Sequence, residues 1–438
     1  MKKKQIAIIL MTMMLAVVSA CAQSTQKKAD QSKDSKSSEK KSDCQPIETR
    51  SPNAEGQKPS FPEQTRACES KTKIELEVTV VAKGLNKPWG FETLPNGDFL
   101  VTEKAGQMRI ISAKGEIGEP IGGLLPVEQA GVSELSKQGG LPPISARGQG
   151  GLLDVALSPD FAKDRTVFWS FSEQREDGSG TSVARGKLSE DRKNIENVKV
   201  IFRALPSYNN GLHFGSRLAF GPDGMLYITL GDRFDRPNRL KVQQYDSHFG
   251  KVIRIKPDGS IPSDNPFVKK EGALPEIWDL GHRNVQSSAF DEQGRLWTVE
   301  HGAKGGDELN LIEKGKNYGW AIVTFGEEYS GEPIPGAVTE KDGYVSPVYY
   351  WDPVIAPSGA IFYTGKLFPE WKGNMFIGGL ASQKLVRLVI KDEKVVGEEN
   401  LLTDRNQRIR DVRQGNDGAL YVITDESNGE LIKITPKK

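Results

Sequence analysis

Six times along the chain a short apolar run ends on a cluster of Pro, Asn, Asp and Gly, and a second apolar run follows. The segments are "LPNGDFLVTE" from Leu94, "LSPDFAKDRTVFWSF" from Leu157, "FGPDGMLYITLGD" from Phe220, "FDEQGRLWTVEHG" from Phe290, "LFPEWKGNMFIGGL" from Leu367 and "QGNDGALYVITDE" from Gln414. Runs this short, rich in β-branched and aromatic residues and bounded by turn formers, predict strands rather than helices. A recurring strand–turn–strand unit is a small sheet that cannot bury both faces alone, and radial packing of such units buries them. The pattern predicts an all-β fold, a six-bladed β-propeller with four-stranded blades. One further alternating run, "KIELEVTVVAKGL" from Lys73, has no inner neighbour of its own. It is expected to complete the last blade beside "ELIKITP" from Glu430, closing the ring with no open sheet edge.

The repeat also predicts where a site lies. If each turn joins the innermost strand of a blade to the next one out, the two strands run antiparallel, so the start of the first and the end of the second meet at one mouth of the central channel. The positions just before the inner strands are Pro88 with Trp89, Gln149, His213, Arg283 with Asn284, Pro357 with Ser358, and Arg408 with Arg410. Those just after the second strands are Glu103, Ser172, Asp232, His301, Gly379 and Asp425. Few of these are strand formers by preference. A mouth carrying His, Asp, Gln, Asn and several Arg suits a polar, anionic ligand.

The chain begins differently. Lys2, Lys3 and Lys4, an apolar run from Ile6 to Val18 and the small residues before Cys21 read as a secretory signal over residues 1–20, too short to span a membrane. The cleavage site resembles a bacterial lipobox, which implies a lipidated Cys21 and an exported protein anchored to a bacterial membrane. Residues 21–72 are rich in Lys, Ser, Gln, Asp and Pro and read as a disordered tether, with the β domain at 73–438. The two other cysteines, Cys44 and Cys68, fall in this tether, and outside the reducing cytosol a disulfide between them is expected. With 59 Lys+Arg against 58 Asp+Glu the net charge is +1, and the basic residues are dispersed, so nucleic acid is excluded as a natural partner.

Several stretches in order, "LHFGSRLAFGPDGMLYITLGD", "LGHRNVQSSAF", "EHGAKGGDELNLIEKGKNYGW", "WDPVIAPSGAIFY" and "RNQRIRDV" with "DGALYVITDE", resemble the pyrroloquinoline quinone (PQQ) dependent soluble aldose sugar dehydrogenases of the glucose/sorbosone dehydrogenase family. The resemblance runs from about Lys73 to Pro436 and implies a six-bladed propeller that oxidises aldose sugars at C1 to lactones, with PQQ and calcium as cofactors and an external electron acceptor as partner. By motif, His213 matches the general base and Asp232 the carboxylate that orients it, a pairing that proton abstraction requires. Arg283 and Asn284 match residues beside the reactive quinone carbonyl, Arg408 and Arg410 the pair that holds cofactor carboxylates, and Gln149 a glutamine near the sugar hydroxyls. Asp307 matches a carboxylate of the same pocket. Gly302 and Ala303 stand where the family has a Gly-Pro pair whose backbone carbonyls bind calcium, a role indifferent to the side chain.

Three positions depart from the glucose-specific branch. Ala381 replaces a lysine that contacts the quinone, with Lys384 displaced along the strand; Val354 replaces a threonine; and His301 replaces a glutamine, reading as pocket-lining rather than catalytic. The resemblance is thus to the broad-specificity aldose dehydrogenases. Two other functions fit a six-bladed propeller: a non-catalytic sugar- or protein-binding propeller, and a calcium-dependent lactonase-type hydrolase. The first would predict loss at His213, Asp232 or the arginine pair, and the second would need carboxylate and Asn ligands at a channel mouth that Arg and Gln dominate.

Overall fold

The computed structural model describes residues 44–124 and 142–437. The expected signal segment 1–20, the expected lipidation site Cys21 and the first half of the expected tether lie outside the described residues. No described helix is long and apolar enough to cross a membrane.

Each of the six turn clusters joins the first two strands of a sheet. Blade 1 comprises Pro88–Thr93, Phe99–Glu103 and Gln107–Ile111, and blade 2 Leu152–Leu157, Thr166–Arg175, Gly178–Leu188 and Ile195–Arg203. Blade 3 comprises Leu218–Phe220, Leu226–Thr229, Lys251–Ile255 and Ile277–Leu280, and blade 4 Val285–Phe290, Leu296–Glu300, Asp307–Ile312 and Tyr349–Trp351. Blade 5 comprises Pro357–Phe362, Met375–Gly379, Lys384–Lys391 and Lys394–Leu401. Blade 6 comprises Ile409–Gln414, Leu420–Thr424 and Gly429–Pro436, with Leu76–Leu85 as its fourth strand. Blade 1 has three strands among the described residues, the others four.

The N-terminal strand closes the ring as its pattern predicts: Leu76 pairs with Pro436 and Leu85 with Gly429, antiparallel. Second strands are buried end to end, as in Phe99–Glu103, Leu296–Glu300 and Leu420–Thr424, because each lies between neighbouring blades. Aliphatic and aromatic side chains fill the space between blades, with Leu100, Leu152, Val155 and Trp169 in one such layer and Trp297, Val299, Ile377 and Val386 in another.

The central channel is tied by charge. Arg217, 1% exposed, reaches Asp154 on blade 2 at 2.6 Å and Asp411 on blade 6 at 3.2 Å. Arg413 joins Asp411 at 2.8 Å and Glu92 on blade 1 at 3.3 Å. Four inner strands or their lead-ins are linked by five side chains.

One expectation needs correcting. The tether was read as disordered to residue 72, but from Cys44 onward the chain lies against the propeller. Cys44 and Cys68 form a disulfide, Gln64 is fully buried, and its amide donates to the Pro347 carbonyl at 2.9 Å. Composition misled because this arm is held by backbone hydrogen bonds and a crosslink rather than by apolar side chains of its own.

Candidate active site

The starts of the inner strands and the ends of the second strands converge on a cavity of about 450 Å³. Trp89, Gln149, His301, Arg408, Arg410 and Asp425 line it, joined by Lys87, Lys104, Phe214, Gln286, Ala356 and Leu380. His213, Asp232, Arg283 and Asn284 sit beside this lining, all at least nine-tenths buried.

His213 Nδ1 lies 2.7 Å from Asp232 Oδ1. A carboxylate only accepts, so Nδ1 carries the hydrogen and Nε2 keeps its lone pair. Asp232 also accepts from the Phe234 amide at 2.7 Å and, through Oδ2, from the Trp320 indole at 2.7 Å. Burial pushes the Asp232 carboxyl up, but His213 and Arg283 more than offset this and hold it below the usual range. Burial, aided by the Arg283 charge, lowers His213 despite Asp232, so the imidazole is neutral at pH 7. The "LGD" sequence makes the approach possible: a Cβ at Gly231 would lie 2.2 Å from the His213 carbonyl oxygen, so only glycine lets the two segments close up. His213, Arg233 and Phe234 all have φ between 50° and 72°, a left-handed conformation unusual for non-glycine residues and concentrated at functional sites.

The next blade supplies the cation. The Arg283 amide donates to Glu300 Oε2 at 2.6 Å, and Glu300 Oε1 meets His282 Nδ1 at 2.6 Å. His282, between Glu300 and Asp279, is raised to about 10: burial opposes its charge, but the two carboxylates prevail. The Arg283 guanidinium bonds the Gly302 carbonyl and the Tyr329 hydroxyl, at 3.2 Å for the latter. His282, Glu300 and the Trp320 contact were not singled out from sequence, since each depends on pairing across the fold; the adjacency of His282 to Arg283 in "GHRN" was the only local signal.

Arg408 and Arg410 share Asp425, at 2.9 and 3.0 Å to Oδ2. Burial lowers the Arg410 pKa, the mark of a cation with less counter-charge than its environment calls for. Gln149 accepts from the His213 amide at 2.8 Å, which puts its side chain against the histidine's backbone. Three buried donors in this region have no hydrogen-bond partner among the described residues: Arg283 Nε, Arg410 Nε and Asn284 Nδ2. Buried unpaired donors converging on one cavity are what an acceptor-rich ligand would satisfy.

One residue differs from expectation in placement. Asp307 is not in the cavity lining; its carboxylate accepts from the amides of Gly302 at 2.8 Å, Ile355 at 2.8 Å and Ala356 at 2.7 Å, latching two loops, and burial raises its pKa to about 7. Lys384 is turned away from the cavity toward Glu398 and Glu48, while Ala381 is exposed. His301 lines the cavity as expected, with Nε2 2.7 Å from the Pro357 carbonyl; a carbonyl only accepts, so Nε2 carries the hydrogen. Burial lowers His301 to about 3, so it is neutral. No cluster of three or more metal-ligating side chains occurs among the described residues.

Fold and site together define a six-bladed propeller with an arginine-bearing channel mouth and a buried, neutral His–carboxylate pair beside it. The chain belongs to the Glucose / Sorbosone dehydrogenase family, whose model matches residues 85–433. It is 42% identical over 366 residues to "Aldose sugar dehydrogenase YliI" of Escherichia coli (strain K12), covering 83% of this chain and 93% of that protein. The solved apo-form of the soluble aldose sugar dehydrogenase from Escherichia coli superposes with a TM-score of 0.76 at 41% identity, over 83% of this chain and 100% of that one. The PQQ-bound aldose sugar dehydrogenase from Streptomyces coelicolor superposes with a TM-score of 0.65 at 28% identity, over 82% of this chain and 99% of that one.

Proposed function

We propose that this protein is a PQQ-dependent aldose sugar dehydrogenase that oxidises the C1 hydroxyl of aldoses to the lactone and passes the electrons to an external acceptor. The observation that carries this reading is the neutral His213 held by Asp232 at 2.7 Å beside a mouth whose arginine and amide donors lack partners. PQQ, with three carboxylates and an ortho-quinone, is rich in acceptors and matches that donor set. When bound, it supplies the two-electron acceptor for the hydride leaving C1.

The chain's own residues do the rest. His213 Nε2 takes the proton of the C1 hydroxyl, and Asp232 fixes the tautomer and stabilises the imidazolium that results. Arg283, beside this pair, offers its unpaired Nε–H to negative charge developing on oxygen. Arg408 and Arg410 hold carboxylates in charge-assisted hydrogen bonds. Gln149 orients the substrate and, through the His213 amide, the base itself.

Calcium fits these residues less well. The Gly302 carbonyl already accepts from the Arg283 guanidinium, and every hydrogen bond of the Asp307 carboxylate goes to a backbone amide. A calcium ion on the carbonyls of Gly302 and Ala303 would have to share the Gly302 oxygen with that guanidinium, a like charge at close range. Export, and a lipid anchor at Cys21, belong to the proposal on the strength of the N-terminal sequence alone.

The test is reconstitution. PQQ added to purified apoprotein, with and without calcium, should give a quinone absorbance band that bleaches with aldose, and aldose-dependent dye reduction. A protein that binds PQQ but shows neither response to any aldose would overturn the reading.

A further inference from the structure

We propose that the arm before the family-matched region, residues 44–72, is a clasp that positions the loop 352–356 of the active site, with Asn53 and Asp352 as its positioning residues. The arm's two ends are tied together by the Cys44–Cys68 disulfide and by hydrogen bonds from the Ile47 amide to Ala67 at 3.1 Å and from the Glu69 amide to Gln45 at 2.8 Å. They are pinned to the outer strand of blade 5, where the Ser70 amide donates to Glu398 at 2.8 Å and the Glu398 amide to Cys68 at 2.9 Å.

The stretch between these ends reaches the loop that connects blades 4 and 5. The amides of Asn53 and Ala54 donate to the Asp352 carboxylate at 2.5 and 3.1 Å. Asn53 Oδ1 accepts in return from the Val354 amide at 3.1 Å, and Arg66 donates to the Asp352 carbonyl at 2.9 Å. Ala54, 1% exposed, also packs on Gly305, where an added Cβ would sit 3.1 Å from the alanine methyl. The arm thus touches both loops that Asp307 latches together.

From there the connections run inward. Ile355 and Ala356 donate to Asp307, Asp307 accepts from Gly302, and the Gly302 carbonyl accepts from Arg283. Ala356 lines the cavity and has φ of 49°, a conformation that its neighbours must hold in place. Four residues, Val354, Ile355, Asp307 and Gly302, separate a covalently closed arm from the guanidinium beside the base. Opening the disulfide frees the arm's ends and lengthens the chain segment that must be ordered to keep Asn53 in contact. The clasp therefore governs how well the site is preorganised for its acidic cofactor, and it makes that preorganisation sensitive to thiol reductants.

The role as a cofactor determinant rests on the proposed function; the role as a clasp does not, and two readouts keep them apart. Hydrogen exchange is measured on the apoprotein of the wild type, of the Cys44→Ser/Cys68→Ser double variant, of Asn53→Ala and of the graded pair Asp352→Asn and Asp352→Ala. Exchange at the amides of 352–356 and 302–306 should accelerate in every variant, more for Asp352→Ala than for Asp352→Asn, while the strands of blades 1 to 3 stay unchanged. PQQ titration should then show affinity falling about tenfold, with turnover at saturating PQQ within about twofold of wild type. Unaltered exchange in the disulfide and Asn53 variants overturns the clasp. Accelerated exchange with unchanged PQQ affinity overturns its reach into the site. A wild type that fails to bind PQQ defeats the functional reading instead, and the exchange result still decides the clasp.

Discussion

His213 is held in a left-handed backbone conformation, buried against Phe234 with ring centroids 5.1 Å apart, and charged only if the reaction charges it. For the base proposed above, removal has a definite size. His213→Gln should bind PQQ nearly normally yet reduce it with aldose about 10²–10⁴ times more slowly in stopped flow, because general base catalysis is worth roughly that factor. Asp232→Asn should show a smaller loss with the same pattern, since the imidazole stays but its tautomer is no longer fixed. The pH profile follows from the direction of the shift: a histidine lowered by burial stays neutral, hence active, down through the ordinary histidine range. The reductive step should therefore lose its rate with an inflection below the ordinary histidine value of 6.5; an inflection above it would mean that solvent or Asp232 holds the base in its charged form. His213, Asp232, Arg408 and Arg410 could be found from sequence because each stands at a fixed offset from a turn cluster. Glu300 and His282 could not, because the carboxylate at the end of a second strand becomes an anchor for Arg283 only when that strand pairs with the inner strand of the same blade, Val285 against Glu300.

Among elements, the inner strand of blade 6 and the residue before it bring two of the cations to the mouth. Arg408 precedes it and Arg410 lies within it, two apart and so on one face. Each should contribute a charge-assisted contact worth about 1.5–3 kcal/mol. In Arg408→Ala and Arg410→Ala, PQQ affinity should fall roughly tenfold to a hundredfold in titration, with turnover at saturating cofactor much less affected. Arg408, 41% exposed, is expected at the lower end because solvent screens it, and Arg410, with 11% exposure, at the upper end. Equal affinity in both would place the cofactor off this strand. The arm is the element that composition reads worst. Its polar, proline-containing sequence satisfies every criterion for disorder, and what overrides them is a partner set supplied by residues such as Asp352 and Glu398, some 300 positions further along.

For the whole molecule, the channel network adds a polar tie across the axis to blades that otherwise pack through apolar layers. Arg217 is its keystone. Arg217→Met leaves Asp154 and Asp411 facing each other with one cation fewer, and breaking such a buried pair costs about 3–5 kcal/mol. Thermal or denaturant unfolding should register that loss with the site residues intact; a change under about 1 kcal/mol would mean that Arg413 alone neutralises both carboxylates. That the number of blades was legible in turn spacing, while this network was not, has one cause: local chemistry announces each blade, but the register between blades is set only once all six are present.

The pairing of Leu76 with Pro436 gives the fold a direction in time. A ribosome delivers the closing strand first and its partner last, so nearly the whole chain must be synthesised before blade 6 can be completed. Joining ends so far apart costs about 5 kcal/mol in loop entropy beyond a constant, a toll met in one step by the last strand to arrive. Until then the propeller is an open arc, and a polypeptide that stops before Gly429 has no strand to set against Leu76–Leu85.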